Sequence, residues 1–148
     1  KVNPNLEMRP LAIKIPEDEI RKIYGHSERV YPEECVGALI GKGLTVFEAR
    51  PMENVYCGTF EARRRFSIDP VALVSLDREL EPKELELIGV YHSHPNYPSN
   101  PSKIDASSAW PEFLYIIVSL LDGKVRDLAC WKLDSRTRDF SREGMIKV

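Results

Sequence analysis

The first strong pattern in the chain is helical. Pro16-Glu17-Asp18-Glu19 places a proline early and three acids in a first turn, where negative charge favours the positive end of the helix dipole. Ile20, Ile23 and Tyr24 then recur at three- and four-residue spacing, which predicts a helix to about Arg29. Tyr31-Pro32 ends it. From Glu34 to Gly41 the pattern changes to a continuous apolar run bounded by glycine, the mark of a buried strand. Further strands are expected around Leu44–Arg50, Met52–Cys57 and Arg63–Ile68. Asp69-Pro70 opens a second helix, "PVALVSLDREL", apolar at helical spacing. "LELIGVYHSH" is an apolar run that ends in polar residues. "SKIDASSAW" reads as a short helix and "FLYIIVSL" as a buried strand. Leu121-Asp122-Gly123-Lys124 is a hairpin turn into "VRDLACWKL", and a last strand is expected in the final dozen residues. The mixture of a mostly β core with a few helices predicts the α+β class, with a mixed, mostly antiparallel sheet.

Composition narrows the function classes. The chain has 148 residues, 43% hydrophobic and 30% charged, which suits one domain over residues 1–148 with its own core. Residues 1–10, polar and holding proline and asparagine, read as a loosely ordered lead-in. A formal net charge of -2 argues against nucleic acid as the main partner, because phosphate neutralisation needs a basic excess. Arg63-Arg64-Arg65 is the one basic cluster, and a solvated strand or loop edge explains it. No apolar run is long enough to cross a bilayer and no signal-peptide pattern opens the chain. Cys35, Cys57 and Cys130 are too few and too scattered for a disulfide framework, though they leave room for one bridge, and a reducing cytoplasm is the expected compartment. His26, a lone helical histidine, is expected at a surface or helix end.

The other two histidines carry the chemistry. If Val90 to His94 ends a strand, alternation sends His92 and His94 to one face and Ser93 to the other. Two imidazoles can then converge on one ion. Pro95 turns the chain away, leaving the pair at an open strand end. Asp105 is the obvious third ligand. However, Ser102-Lys103-Ile104-Asp105 is also close to a capping box, with Ser102 as N-cap and Asp105 satisfying an orphan amide. From the local residues the two readings stand side by side. Glu34 opens an apolar strand, where a carboxylate needs a reason to be, and a general base beside a metal is one such reason. Glu33 would face the other way, toward solvent. Cys35, beside Glu34, reads as a buried inert thiol rather than a protease nucleophile.

Together, "PEECVGALIG", "GVYHSHP" and the later Ser-x-x-Asp resemble the JAMM (MPN+) metalloprotease family. Its motif is a strand glutamate followed far downstream by H-x-H-P-x6-S-x-x-D. Pro32, Glu34, Gly37 and Leu39 also match that family's "P-x-E-x-x-G-x-L" stretch. The resemblance implies a fold like that of the zinc deaminases, whose H-x-E and P-C-x-x-C signature is absent here. It implies one zinc ion on His92, His94 and Asp105, with Glu34 as general base and Ser102 as oxyanion donor. The implied activity is an isopeptidase acting after the C-terminal Gly-Gly of a ubiquitin-like β-grasp protein. The small prokaryotic members that this compact chain resembles either remove such modifiers from lysine or trim a sulfur-carrier protein. A non-catalytic scaffold that binds a β-grasp partner is the alternative from another class. The loop from Asn96 to Pro101, with two prolines, reads as preset in shape, with a lid role as a further hypothesis.

Overall fold

The computed structural model describes residues 12–148, so the lead-in expected at residues 1–10 lies outside the described residues. Seven strands curl into a closed sheet: β1 (Ala12–Ile15), β2 (Val36–Lys42), β3 (Thr45–Met52), β4 (Glu86–Pro95), β5 (Leu114–Leu121), β6 (Lys124–Leu133) and β7 (Phe140–Lys147). Their spatial order is β1-β3-β2-β4-β5-β6-β7, and β1 closes the ring on β7. Four ladders are antiparallel and three parallel. Three helices complete the described chain: α1 (Glu17–Val30), α2 (Pro70–Leu80) and α3 (Lys103–Ser108). The expected α+β class with a mixed, mostly antiparallel sheet is what forms.

The helices form where capping and periodicity agree. Helix α1 begins after Pro16 with Glu17, Asp18 and Glu19 in its first turn and Arg29 in its last. Its buried stripe is Ile20, Ile23, His26 and Ser27. Asp69 caps α2 by accepting the Val71 amide at 2.9 Å, and the helix buries Leu76 and Leu80. Among the described residues no helix is long and apolar enough to cross a membrane.

The sheet has two chemically different faces. Toward α1 it presents Leu39, Tyr91, Ile116, Val118 and Leu120, which pack with Ile20 and Ile23 into the main core. On the other face Ala38 and Ile40 meet Leu76 and Leu80 of α2. Strand β4 serves both. Leu39 pairs with Gly89 but Ile40 pairs with Leu87, so Ile88 is the extra residue of a bulge that re-phases the strand. Beyond it, Tyr91 and Ser93 look toward α1, and Val90, His92 and His94 share the opposite face.

Several expectations need correction. The strands expected at Met52–Cys57 and Arg63–Ile68 do not form; β3 runs on to Met52 and a 3-10 turn occupies Phe60–Arg63. The side chain of Asn54 takes the place of a ladder here. Its amide donates to the carbonyls of Glu34 and Arg65, both at 3.1 Å. Its oxygen accepts the amides of Tyr56 and Ser67 at 3.0 and 3.2 Å. Strand β1 was not expected. It is four residues long and pairs in parallel with β7, at the far end of the chain. His26 is not at the surface: it is 8% exposed, with Nδ1 2.7 Å from the Tyr91 hydroxyl. Arg63 and Arg64 lie exposed over the Phe60 ring, a solvated edge as expected, whereas Arg65 lies over Tyr56 with its Nε buried. The three cysteines are all free.

Candidate metal centre

The site begins as the end of a strand pair. Val36 lies opposite His92 in the antiparallel β2–β4 register, and the pairing continues one residue further. The Ser93 amide donates to the Cys35 carbonyl at 3.2 Å, and the Cys35 amide donates to the Ser93 hydroxyl at 2.8 Å. Counting on by alternation, Glu34 falls next to His94 and on the same face as both histidines. Its own amide donates to the Ala62 carbonyl at 2.6 Å, and Asn54 holds its carbonyl. Glu34 is 2% exposed, and His92 and His94 are fully buried. Glu33 is half-exposed and its carboxylate accepts the Gly58 amide.

Helix α3 brings the third donor. Ser102 and Asp105 form a reciprocal capping box. Asp105 Oδ2 also stands 3.2 Å from His92 Nε2 and 3.0 Å from His94 Nε2. The capping reading and the ligand reading of Asp105 are therefore compatible in one conformation. His92 Nε2 and His94 Nε2 are 3.1 Å apart, so three donor atoms converge on one point.

The donor set fits a metal ion. Donor atoms around a tetrahedral zinc, bound at ~2.0–2.1 Å, stand about 3.3–3.4 Å from one another. The hydrogen-bond chemistry agrees. His94 Nδ1 lies 2.6 Å from the Pro98 carbonyl, which can only accept, so Nδ1 carries the proton. In the neutral ring Nε2 is then a bare lone pair aimed at a carboxylate oxygen, an arrangement that a cation relieves. His92 Nδ1 is buried without a partner, and the Phe66 ring lies tilted against His92 with centroids 4.5 Å apart.

Charge follows burial and proximity. Burial pushes the Asp105 carboxyl up, but the charge and hydrogen bond of His92, with the hydrogen bond from the Ser102 amide, outweigh it and hold it well below the usual carboxylate range. For His92, burial favours the neutral ring, but the charge and hydrogen bond of Asp105, helped by Glu34, reverse that and raise it. Glu34 is raised, chiefly by burial, against the pull of His92 and of a hydrogen bond from Tyr97. A carboxyl raised in this way holds a proton more readily than a free one, which suits a group that takes up and returns protons. Cys35 is 2% exposed and burial pushes its thiol up to about 12, which leaves it a poor nucleophile.

The structure brings Glu34, His92, His94 and Asp105 together at this one place, with Ser102 held there by its bonds to Asp105. Sequence reasoning missed Tyr97, whose ring stacks on His94 with centroids 4.0 Å apart and planes at 16°. Its hydroxyl donates to Glu34 Oε2. Nothing periodic marked it, because it lies between prolines in an irregular loop. A cleft of about 660 Å3 opens beside Asp105, lined in part by Phe66, Ile68, Leu73, Val74 and Trp110.

The family model for prokaryotic homologs of the JAB domain matches residues 16–134. A desampylase of Haloferax volcanii is 36% identical over 91 residues, which are 60% of this chain and 63% of that protein. The chain thus matches somewhat less than two thirds of that relative's length. A probable TtuB-protein conjugate cleaving protease of Thermus thermophilus is 32% identical over 107 residues, 72% of this chain and 70% of the relative. In three dimensions a JAB1/MPN domain protein of Archaeoglobus fulgidus matches with a TM-score of 0.57 at 17% identity. That match covers 91% of this chain and 98% of the other, a likeness of fold.

Proposed function

The chain belongs to the prokaryotic JAB-domain family of the JAMM/MPN fold, and from that premise we propose that it is a zinc-dependent isopeptidase. Its substrate in this reading is the amide bond after the C-terminal Gly-Gly of a ubiquitin-like β-grasp modifier joined to a lysine. The observation that carries the reading is the convergence of His92 Nε2, His94 Nε2 and Asp105 Oδ2 beside the buried carboxylate of Glu34. A structural metal site has no need of such a base, so a purely scaffolding role leaves Glu34 unexplained.

His92, His94 and Asp105 would hold one zinc ion. When bound, zinc supplies a Lewis acid for the scissile carbonyl and brings the pKa of water toward neutrality. Glu34 takes a proton from the attacking water and passes it to the departing lysine amine as the carbon–nitrogen bond breaks. Ser102 Oγ accepts the Asp105 amide at 3.0 Å, which leaves its hydroxyl hydrogen for the carbonyl oxygen as that oxygen gains negative charge. Burial of the whole cluster strengthens each of these interactions.

An extended tail fits the apolar cleft beside Asp105, and glycines at its end let the backbone approach the buried donors closely. The Thermus relative's description as a conjugate cleaving protease favours deconjugation over trimming of a free precursor. The test is release of a lysine-containing acceptor from a β-grasp protein joined to it through Gly-Gly, run beside a linear fusion and with and without a chelator. Chelator-sensitive release of the isopeptide-linked acceptor supports the reading. No release from zinc-loaded protein overturns it in favour of a binding module.

A further inference from the structure

The loop from Asn96 to Pro101 is tied down, which bears on what Tyr97 can do. The Asn96 amide donates to the Leu120 carbonyl at 2.8 Å. The Asn96 side chain donates to the Tyr31 hydroxyl at 2.7 Å and accepts the Asp122 amide at 2.9 Å. Asn96 itself takes a left-handed backbone, φ 66°, a conformation that asparagine tolerates better than most residues. One residue on, the Tyr97 carbonyl accepts the Ser119 hydroxyl at 2.6 Å. Further along, the Pro98 carbonyl faces His94 Nδ1 and the Ser99 carbonyl accepts the Trp131 indole N–H at 2.9 Å. These anchors come from β4, β5, the β5–β6 turn, β6 and the Tyr31 corner. A lid that opens would have to break most of them. Tyr97 is thus delivered to the site by bonds that do not involve Glu34.

At the site Tyr97 makes two contacts with different parts of the cluster. Its ring lies flat on His94, and its hydroxyl donates to Glu34 Oε2. The other oxygen, Glu34 Oε1, is buried with no hydrogen-bond partner. The last torsion of a glutamate side chain is broad and nearly two-fold, so an unrestrained carboxylate presents either oxygen. A donor fixed to one oxygen removes that ambiguity.

We infer that Tyr97 is a positioning residue for Glu34: its hydroxyl holds Oε2 and leaves Oε1 as the single oxygen available to exchange the proton with water, while its ring holds the His94 imidazole in plane. This inference rests on the reading of Glu34 as general base. It assigns a role to a residue that lies in neither the zinc-ligand set nor the proton-transfer pair. The loop prolines and Asn96 then have a function as well, because they set the angle at which the phenol meets the carboxylate.

The test is Tyr97→Phe, which keeps the ring on His94 and removes only the hydroxyl. The expected result is a kcat lowered by about ten- to a hundredfold, the scale of loss that misplacing a reacting group by an ångström produces. KM and zinc affinity stay at the wild-type values, and the melting temperature falls only by the small amount that one lost buried hydrogen bond costs. Tyr97→Leu, which loses the ring as well, additionally weakens zinc binding by about tenfold. A readout independent of turnover is the infrared carboxylate band of Glu34, isolated as the difference between a protein and its Glu34→Gln partner. The band shifts when Phe replaces Tyr97 if the hydroxyl holds Oε2. An unshifted band overturns the inference, whether or not the wild-type protein cleaves anything. Wild-type kcat in an active Tyr97→Phe enzyme overturns it too, and so does a kcat loss matched by equal losses in zinc affinity and melting temperature. A shifted band in a protein that releases no conjugate supports the contact and strikes only the proposed function.

Discussion

Ser102 and Asp105 each accept the other's backbone amide, the Ser102 hydroxyl at 3.0 Å and the Asp105 carboxylate at 2.9 Å. Because Asp105 Oδ2 is also the oxygen facing both histidines, the first turn of α3 is part of the candidate metal centre.

That double duty separates two substitutions. Ser102→Ala removes the cap and costs about 1 kcal/mol of stability, whereas Ser102→Gly costs only a few tenths, roughly, because glycine is a tolerable N-cap. Both remove the hydroxyl that the proposed mechanism assigns to the reacting carbonyl, so both are expected to lower kcat by about a hundredfold or more. Urea unfolding beside steady-state kinetics checks this. Activity that follows stability across the pair would reduce Ser102 to a cap.

Glu34→Gln is nearly isosteric and keeps the amide contacts of its backbone. Zinc content is expected to stay at one per chain, while cleavage falls by about a hundred- to ten-thousandfold. Metal analysis and single-turnover kinetics on the same preparation decide it. Undiminished cleavage removes Glu34 from the mechanism.

Gly37 is required by its neighbour across the sheet. A Cβ placed there would lie 2.0 Å from Cε2 of Tyr91, a fully buried ring. Gly37→Ala is expected to destabilise the protein by about 1–3 kcal/mol, the usual cost of overpacking a core. Shortening Tyr91 to Leu in the same chain should recover part of that loss. A double-mutant cycle measures the coupling, and strict additivity of the two changes would contradict the clash.

His26 gives stability a dependence on pH. Burial, with Arg29 nearby, lowers its pKa from the ordinary value. The unfolded chain therefore binds a proton more readily than the folded one. Stability from this group is complete above about pH 6.5, falls as pH drops below that value, and is fully lost once pH is below the folded pKa. Unfolding free energies measured between pH 8 and 5 should show a fall that is smaller in His26→Gln. Equal slopes in the two proteins would mean that His26 titrates alike folded and unfolded.

The grouping of His92, His94 and Asp105 was legible in the sequence because each part of it was local. His92 and His94 share a face through strand alternation alone, and Ser102 and Asp105 are bound by the geometry of one helical turn. Glu34 was harder, since its place beside His94 depends on the β2–β4 register, which no local pattern states; resemblance to a family motif supplied it. What stayed hidden was held by side chains rather than by repeats. Asn54 replaces a strand ladder with four bonds of its own, so the apolar residues around it looked like strands. Tyr97 reaches Glu34 through an irregular loop whose shape comes from bonds to distant strands. Strand β1 is short and finds its partner at the opposite end of the chain.

The two faces of β4 divide its labour residue by residue. Tyr91 and Ser93 lock the strand into the fold from one side, and His92 and His94 face the buried donor cluster on the other. Selection for greater heat resistance can therefore act on the core without touching the ligands, and a change of substrate can proceed through the cleft without loosening the core. In many enzymes the same residues must serve rigidity and chemistry, and improving one costs the other. Here the pleat of a single strand relaxes that trade-off, giving the scaffold room to diversify while its reactive centre stays fixed.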